Sequence, residues 1–266
     1  MTEPNPLAVV TGASSGIGLE LAKQLAEHGF DEIVAADDTG LDAAAEGLRG
    51  AGVEVRTARA DLATEAGVEQ LVTEVTTTGR PVDALVINAG VGVAGPFAGD
   101  DSSVEDQLRV VDLNVRSSVH LAKRLVPGMV RRGSGRVLFT SSIAAVMPGP
   151  FQAVYNASKA FLLSFAEALR EELKDSGVTV TALLPGPTDT EFFERAGLQD
   201  TKLGAGAKDD PAVVAREGYE AMMAGKHRVV AGSVKNKAQV AAANVVPDPA
   251  LAAQHRRMSE PGSADS

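Results

Sequence analysis

The chain is punctuated by short apolar runs that lack strict alternation of polar and apolar residues. They are "LAVVTG" at Leu7–Gly12, "EIVAAD" at 32–37, "VEVRTA" at 53–58, "DALVINAG" at 83–90, "GRVLFTSS" at 135–142, "VTVTALLPG" at 178–186 and a short "HRVVAG" at 227–232. Continuous Val/Ile/Leu runs are what strands require when both faces of their sheet are covered. Amphipathic stretches separate them: "GIGLELAKQLAEHGF", "GLDAAAEGLRGAG", about Thr64 to Thr78, about Asp106 to Arg131, and Ala153 to Asp175. Repeated β-α-β order predicts a parallel sheet with right-handed crossovers. No repeat or long linker divides the chain, so residues 1–266 are expected to form one doubly wound α/β domain. Two regions depart from the alternation. The segment Gly186 to Asp210 is rich in Pro, Gly and Thr, the usual make-up of an active-site flap. Ser233 to Met258 reads as one or two helices packing on the domain or at a subunit interface, and "SEPGSADS" at the end is expected to fray.

Composition narrows the function. Lys and Arg total 25 against 35 acids, a formal charge of −10, with no basic block to meet a phosphate backbone. Nucleic acid is not an expected partner. The chain has no cysteine, and its four histidines are scattered without ligand spacing, so no metal site is expected. "MTEPNP" lacks the basic and apolar regions of a secretory signal, and no run approaches the roughly 20 apolar residues of a membrane span. The expectation is a soluble cytoplasmic protein with no membrane partner.

"TGASSGIG", Thr11 to Gly18, lies between the first strand and the first helix. Gly12, Gly16 and Gly18 permit a tight turn, close backbone approach and close helix packing, while the helix start points bare N–H groups at an anion. The second strand ends in Asp37 and Asp38, nineteen residues past Gly18. A dinucleotide fold places a carboxylate there for the adenosine ribose hydroxyls. A 2′-phosphate would meet like charge, at a cost of about 4 kcal/mol per unit pair at ~4 Å and an effective dielectric near 20. No Lys or Arg lies between Lys23 and Arg49, so NAD is expected over NADP.

Tyr155, one of two tyrosines, precedes Lys159 by four residues in "VYNASKAF". On a helix both side chains leave one face. By itself this spacing fits either a surface pair or a proton-transfer pair in a pocket.

The ordered set of motifs resembles the short-chain dehydrogenase/reductase family in its single-domain branch, over roughly Leu7 to Gly232. The motifs are "TGASSGIG", Asp61 in "ADL", "NAG" at Asn88–Gly90, Asn114 in "DLNV", Ser142 in "TSSIAA", "YNASK", and "PGPTDT" at Pro185–Thr190. Ile87 stands where many relatives have a second Asn before "NAG". The resemblance implies a Rossmann fold that transfers hydride between a nicotinamide cofactor and a small-molecule secondary alcohol or ketone. It implies Tyr155 as general acid/base, Lys159 lowering its pKa and holding the nicotinamide ribose, and Ser142 bonding the substrate oxygen. Asn114 would kink its helix and hold a water linking Lys159 to solvent. Cofactor contacts are implied for Gly12, Ser14, Ser15, Gly16, Ile17, Gly18, Asp37, Asp38, Asp61, Leu62, Asn88, Ala89, Gly90, Tyr155, Lys159, Pro185, Gly186 and Thr188. The chemistry agrees, because a free tyrosine with pKa about 10 is a poor base until nearby positive charge favours phenolate.

Other readings exist for single features. Ser141 competes with Ser142 on residue type, and "HRR" at His255–Arg257 reads as a solvated helix face. An epimerase or dehydratase on nucleotide sugars would use the same Tyr and Lys, and a dinucleotide-sensing regulator the same fold. Phe161, Leu162 and Phe165 cannot all face the sheet from one helix. With the family resemblance, this points to a homodimer or homotetramer built on the helices Asp106–Arg131 and Ala153–Asp175.

Overall fold

The computed structural model describes residues 6–50, 52–99, 103–243 and 245–264. Seven parallel strands form one sheet in the order β3-β2-β1-β4-β5-β6-β7. They are β1 (Leu7–Thr11), β2 (Glu32–Asp37), β3 (Glu54–Arg59), β4 (Val82–Ile87), β5 (Gly135–Thr140), β6 (Val178–Pro185) and β7 (Arg228–Ala231). The register sets Val9 opposite Val34, Val34 opposite Arg56 and Val137 opposite Val180, with one shift in the β1–β4 pairing between Leu7 and Ala8. The runs of β1, β2, β4, β5 and β6 are buried on both faces, while the edge strands β3 and β7 stay partly exposed. Leu7 and Val9 pack on one layer of helices, α3 (Glu65–Thr77), α5 (Ser117–Arg132) and α6 (Ala153–Glu172). Ala8 and Val10 pack on the other, α1 (Gly16–Glu27), α2 (Leu41–Gly50) and α9 (Pro211–Met223). The strand order reverses between β1 and β4, and a crevice opens at the carboxyl ends of the strands there.

The single helix expected over Asp106–Arg131 is three segments: α4 (Val104–Val111), a π-helical turn Asp112–Arg116, and α5. Asn114 sits at the centre of that turn and is fully buried. Its side chain binds main chain of the strand-end loop: Nδ2 donates to the Val91 carbonyl and Oδ1 accepts from the Val91 N–H, both at 2.9 Å. The wider turn brings the side chain inward at a point where a regular 3.6-residue helix would not.

The segment 186–210 contains two short helices, α7 (Phe192–Arg195) and α8 (Lys202–Ala205), between β6 and α9. The tail is two helices, α10 (Val234–Ala243) and α11 (Asp248–Ser259). The expected fraying of "SEPGSADS" is corrected over its described part. Ser259 and Ser263 are buried, the Gly262 N–H donates to the Asp200 carboxylate, and the Ala264 N–H donates to the Asp200 carbonyl. Those bonds satisfy backbone that a frayed end would leave to water. Residues 265 and 266 of that motif, and the leading 1–5, lie outside the described residues.

On α6, Leu162 is buried and Phe165 meets Phe139 edge-on, ring centroids 5.5 Å apart. Phe161 stacks on Phe165 but stays 41% exposed. Leu108, Val111 and Val119 on α4 and α5 are exposed apolar groups as well. No helix among the described residues is long and apolar enough to cross a membrane.

Candidate active site

The crevice holds a cavity of about 730 Å³. One end is the glycine loop between β1 and α1. Gly12 has φ +66°, and a Cβ there would lie 2.9 Å from Asn88 Nδ2 and 3.0 Å from Ala89 Cα. Gly16, at φ +53°, would place a Cβ 2.8 Å from Thr190. A Cβ on Gly18 would lie 1.9 Å from the Gly12 carbonyl oxygen, so Gly18 serves the packing of α1 on the loop and stands behind the cavity. The α1 N-cap, Ser15, makes no side-chain cap bond, and the first turn has no acid. Its leading N–H groups are therefore available to an anion. Gly12, Ser15, Gly16 and Ile17 line the cavity, as do Asn88, Ala89 and Gly90. Asn88 Nδ2 donates to the Thr11 carbonyl at 3.1 Å, which ties the end of β4 to the loop.

Asp37, Asp38, Asp61 and Leu62 line the same end. Ser14 does not. Its N–H and Oγ donate to Asp37 Oδ2 at 3.2 and 2.6 Å, so it orients the carboxylate from behind. Burial pushes the Asp37 carboxyl up from its ordinary range, against the lowering effect of those Ser14 bonds. Arg109 of α4 escaped sequence reasoning. Its guanidinium bridges Asp61 through two bonds, 3.1 and 3.2 Å, and lies 3.5 Å from Asp38. The bonds from Arg109 hold the Asp61 carboxyl below its ordinary value. Two carboxylates, Asp38 and Asp61, thus meet one cation, with Asp37 at the same end of the cavity. No local spacing could reveal this, since Arg109 lies 48 residues from Asp61 in sequence.

The other wall carries Ser142, Tyr155 and Lys159. Ser142 caps the short 3₁₀ turn Ile143–Val146, its Oγ accepting from the Ala144 N–H at 3.1 Å. Ser141 turns inward instead, donating to the Lys159 carbonyl at 2.8 Å. That separates the two serines. Tyr155 and Lys159 leave one face of α6, and Lys159 Nζ lies 5.7 Å from the Tyr155 ring centroid. Nζ donates to the Thr140 carbonyl at 2.9 Å. Both groups are buried, and burial pushes Tyr155 up to about 12 and Lys159 down to about 8. The hydrogen bond with Ser142 acts against the tyrosine shift. Desolvation therefore outweighs the expected lowering of the phenol by Lys159. Asn114 lies outside the cavity wall, one layer behind Gly90, where a Cβ would sit 3.1 Å from Asn114 Oδ1 and 3.2 Å from Lys159 Nζ. Its Nδ2 also donates to Ser158 Oγ at 2.9 Å, linking the π-helical turn to α6.

Pro185, Gly186 and Thr188 close the middle of the cavity, and Phe192 of α7 packs on the Tyr155 ring at 5.1 Å. The tail completes the far wall. His255, expected on a solvated face, is buried, with Nδ1 3.2 Å from the Pro150 carbonyl. Arg256 lies over the Phe151 ring at 5.2 Å, and Ser259 Oγ accepts from Gln152 Nε2 at 3.2 Å. The only sequence signal for these contacts was the helical spacing of residues 255 and 259. Among the described residues, no group of three or more His, Asp or Glu could hold a metal ion.

The model of the short chain dehydrogenase family matches residues 6–200. The bovine (Bos taurus) dehydrogenase/reductase SDR family member 4 is 35% identical over 191 residues, 71% of this chain and 67% of that relative. A short-chain dehydrogenase from Sphingobium yanoikuyae, solved in complex with NADPH, superposes with a TM-score of 0.77 at 29% identity, covering 85% of this chain and 87% of that one. A short-chain dehydrogenase/reductase from Burkholderia phymatum, in complex with NAD, gives 0.79 at 25% identity, covering 92% and 94%. With this match over most of its length, and with one cavity joining its glycine loop to Ser142 and the buried Tyr155 and Lys159, the chain belongs to the short-chain dehydrogenase/reductase family of oxidoreductases.

Proposed function

We propose that the protein interconverts a small secondary alcohol and its ketone with a nicotinamide cofactor, using Tyr155 as general acid/base. The carrying observation is that Ser142, Tyr155 and Lys159 meet on one wall of the cavity whose other end is the glycine loop. Residues 1–266 act as one catalytic domain, with 186–210 as its flap and 233–258 as its tail.

The residues fit the cofactor. The bare N–H groups of α1 and the close approach at Gly12 and Gly16 suit a pyrophosphate, and Asp37, held by Ser14, suits ribose hydroxyls. Asp61 and Leu62 would meet the adenine, and Asn88 to Gly90 the adenosine side. Lys159 would hold the nicotinamide ribose, with Pro185, Gly186 and Thr188 beside the ring. When bound, the nicotinamide supplies or accepts the hydride. Tyr155 moves the proton at its phenolic oxygen, giving it to the carbonyl oxygen in reduction and taking it from the alcohol in oxidation. Ser142 donates a hydrogen bond to that same substrate oxygen as charge develops. Burial keeps the free Tyr155 phenol protonated, the state a proton donor needs.

Tyr155→Phe keeps the ring and loses the proton. Turnover should fall by about 10²–10⁴-fold, with cofactor affinity kept. Residual activity above about a tenth of wild type would assign the proton to another group.

Cofactor choice follows charge at the adenosine end. NAD is favoured because Arg109 offsets only part of the charge of Asp37, Asp38 and Asp61. Replacing Asp37 by Ser and Asp38 by Arg should move kcat/KM toward NADP(H). A wild-type preference for NADP(H) would contradict this reading.

Lys159 has a stability cost of definite sign. Its folded value, about 8, lies below its ordinary 10.5. Between those values the unfolded chain binds the proton more readily, so stability rises with pH there, and below pH 8 the penalty is complete. Lys159→Met should therefore be more favourable relative to wild type at pH 7 than at pH 10, by roughly 2–3 kcal/mol. Denaturant unfolding at both pH values measures it, and a difference independent of pH would refute it.

Phe161, Leu108, Val111 and Val119 give α4, α5 and α6 an uncovered apolar surface. A symmetric dimer or tetramer built on it would bury the ~1,200–2,000 Å² of a standard interface. Light scattering at low micromolar concentration should return a multiple of 27.4 kDa. A monomer with full activity would rule the assembly out.

A further inference from the structure

Helix α11 grips three consecutive residues of the loop leading into α6. His255 holds the Pro150 carbonyl, Arg256 covers the Phe151 ring, and Ser259 takes the Gln152 amide. Gln152 and His255 both line the cavity, and each is more than nine-tenths buried. Packing alone would have been met more cheaply by apolar side chains, since a buried polar group costs free energy unless bonded.

A carbonyl oxygen only accepts, so we assign the proton to the His255 Nδ1 that faces Pro150, over the tautomer in which Ser259 Oγ would donate to Nδ1. Ser259 Oγ, at 3.3 Å, shares that donor. The imidazole is kept neutral by burial, which pushes its pKa below the ordinary value. Nε2 is then a bare acceptor. Gln152 N-caps α6 without using its side chain as the cap, and its Nε2 donates to Ser259 Oγ. Its Oε1 remains. Neither His255 Nε2 nor Gln152 Oε1 has a hydrogen-bond partner among the described residues. Neither is sealed off from the cavity as a buried unpaired atom, unlike Thr140 Oγ1.

We propose that His255 and Gln152 form an acceptor subsite for a hydroxyl of the substrate other than the reacting one. The substrate class is then a hydroxylated ketone or polyol, in preference to a plain hydrocarbon ketone. This inference rests on the oxidoreductase reading above and adds the feature by which the substrate is chosen. A site built to hydrogen-bond a hydroxyl discriminates against the analogue lacking it, because its polar groups are left unpaired.

The test uses cyclohexanone and its 2-, 3- and 4-hydroxy derivatives with reduced cofactor. At least one hydroxy derivative should exceed cyclohexanone in kcat/KM by about tenfold, the effect of one buried hydrogen bond of ~1.4 kcal/mol. In His255→Asn, which keeps a donor toward Pro150 and removes Nε2, that ratio should collapse toward one. Should this variant fail to fold, Gln152→Met should reduce the ratio in the same direction. A wild-type ratio at or below one for all three derivatives would overturn the subsite. A fall in both substrates with an unchanged ratio would reduce the cluster to a structural latch. If no ketone turns over, the oxidoreductase reading fails, and nitrogen NMR of histidine-labelled protein decides the subsite separately. An unprotonated Nε2 at His255 that responds to a hydroxycyclohexanone and not to cyclohexanone upholds it. A protonated Nε2, or no selective response, overturns it.

Discussion

A parallel sheet covered by helices on both faces leaves only its ends for chemistry. Every strand here runs the same way, so all carboxyl ends emerge on one edge, and the reversal of order between β1 and β4 opens a crevice there. The pieces of the site are delivered by that constraint. Gly12 follows β1, Asp37 ends β2, Asp61 follows β3, Asn88 follows β4, Ser142 follows β5, and Pro185 ends β6. Residues scattered over more than 170 positions become neighbours because each stands just past a strand. Burial of Ala8 and Val10 on one side, and Leu7 and Val9 on the other, is thus the energetic foundation of the cofactor crevice.

Lys159 shows what the site costs the fold. Its ammonium is buried among the ends of β5 and α6 with one carbonyl partner, Thr140, and a phenol nearby. Burial drives both Tyr155 and Lys159 toward their neutral forms, so an added positive charge in the cavity acts on a phenol that solvent does not screen. The π-helical turn at Asn114 belongs to the same arrangement. It sacrifices regular helix geometry to place one amide behind Gly90, where main chain, Ser158 and the Lys159 ammonium lie close together.

The strands, the glycine loop and the Tyr-Lys pair were legible because each is encoded within about ten residues, by period, turn chemistry or spacing. Contacts between distant segments were not. Arg109 meets Asp38 and Asp61 only after α4 crosses the mouth of the crevice, and a scan of the second strand's neighbourhood could not count it. The break at Asp112–Arg116 left no Pro or Gly to announce it; only the family resemblance implied a kink at Asn114, whose side chain is held there by the Val91 backbone. The polar end of the chain read as frayed because composition alone cannot show that Asp200 accepts the Gly262 and Ala264 N–H groups.

Phe151 connects the tail to the chemistry. It has φ +65°, the one non-glycine residue with positive φ among the described residues, and such a conformation in a bulky residue costs of order 1–3 kcal/mol. The Gly95 N–H holds its carbonyl, and Arg256 holds its ring. Its neighbours on either side are bound by His255 and Ser259 of the same helix. Four residues later comes Tyr155, in the first turn of α6. The strained turn therefore sets where α6 begins, and α11 supplies the contacts that keep it in place. Docking of the tail and placement of the Tyr155 phenol are parts of one packed unit, so a substrate gripping His255 and Gln152 would reinforce the helix start that carries Tyr155.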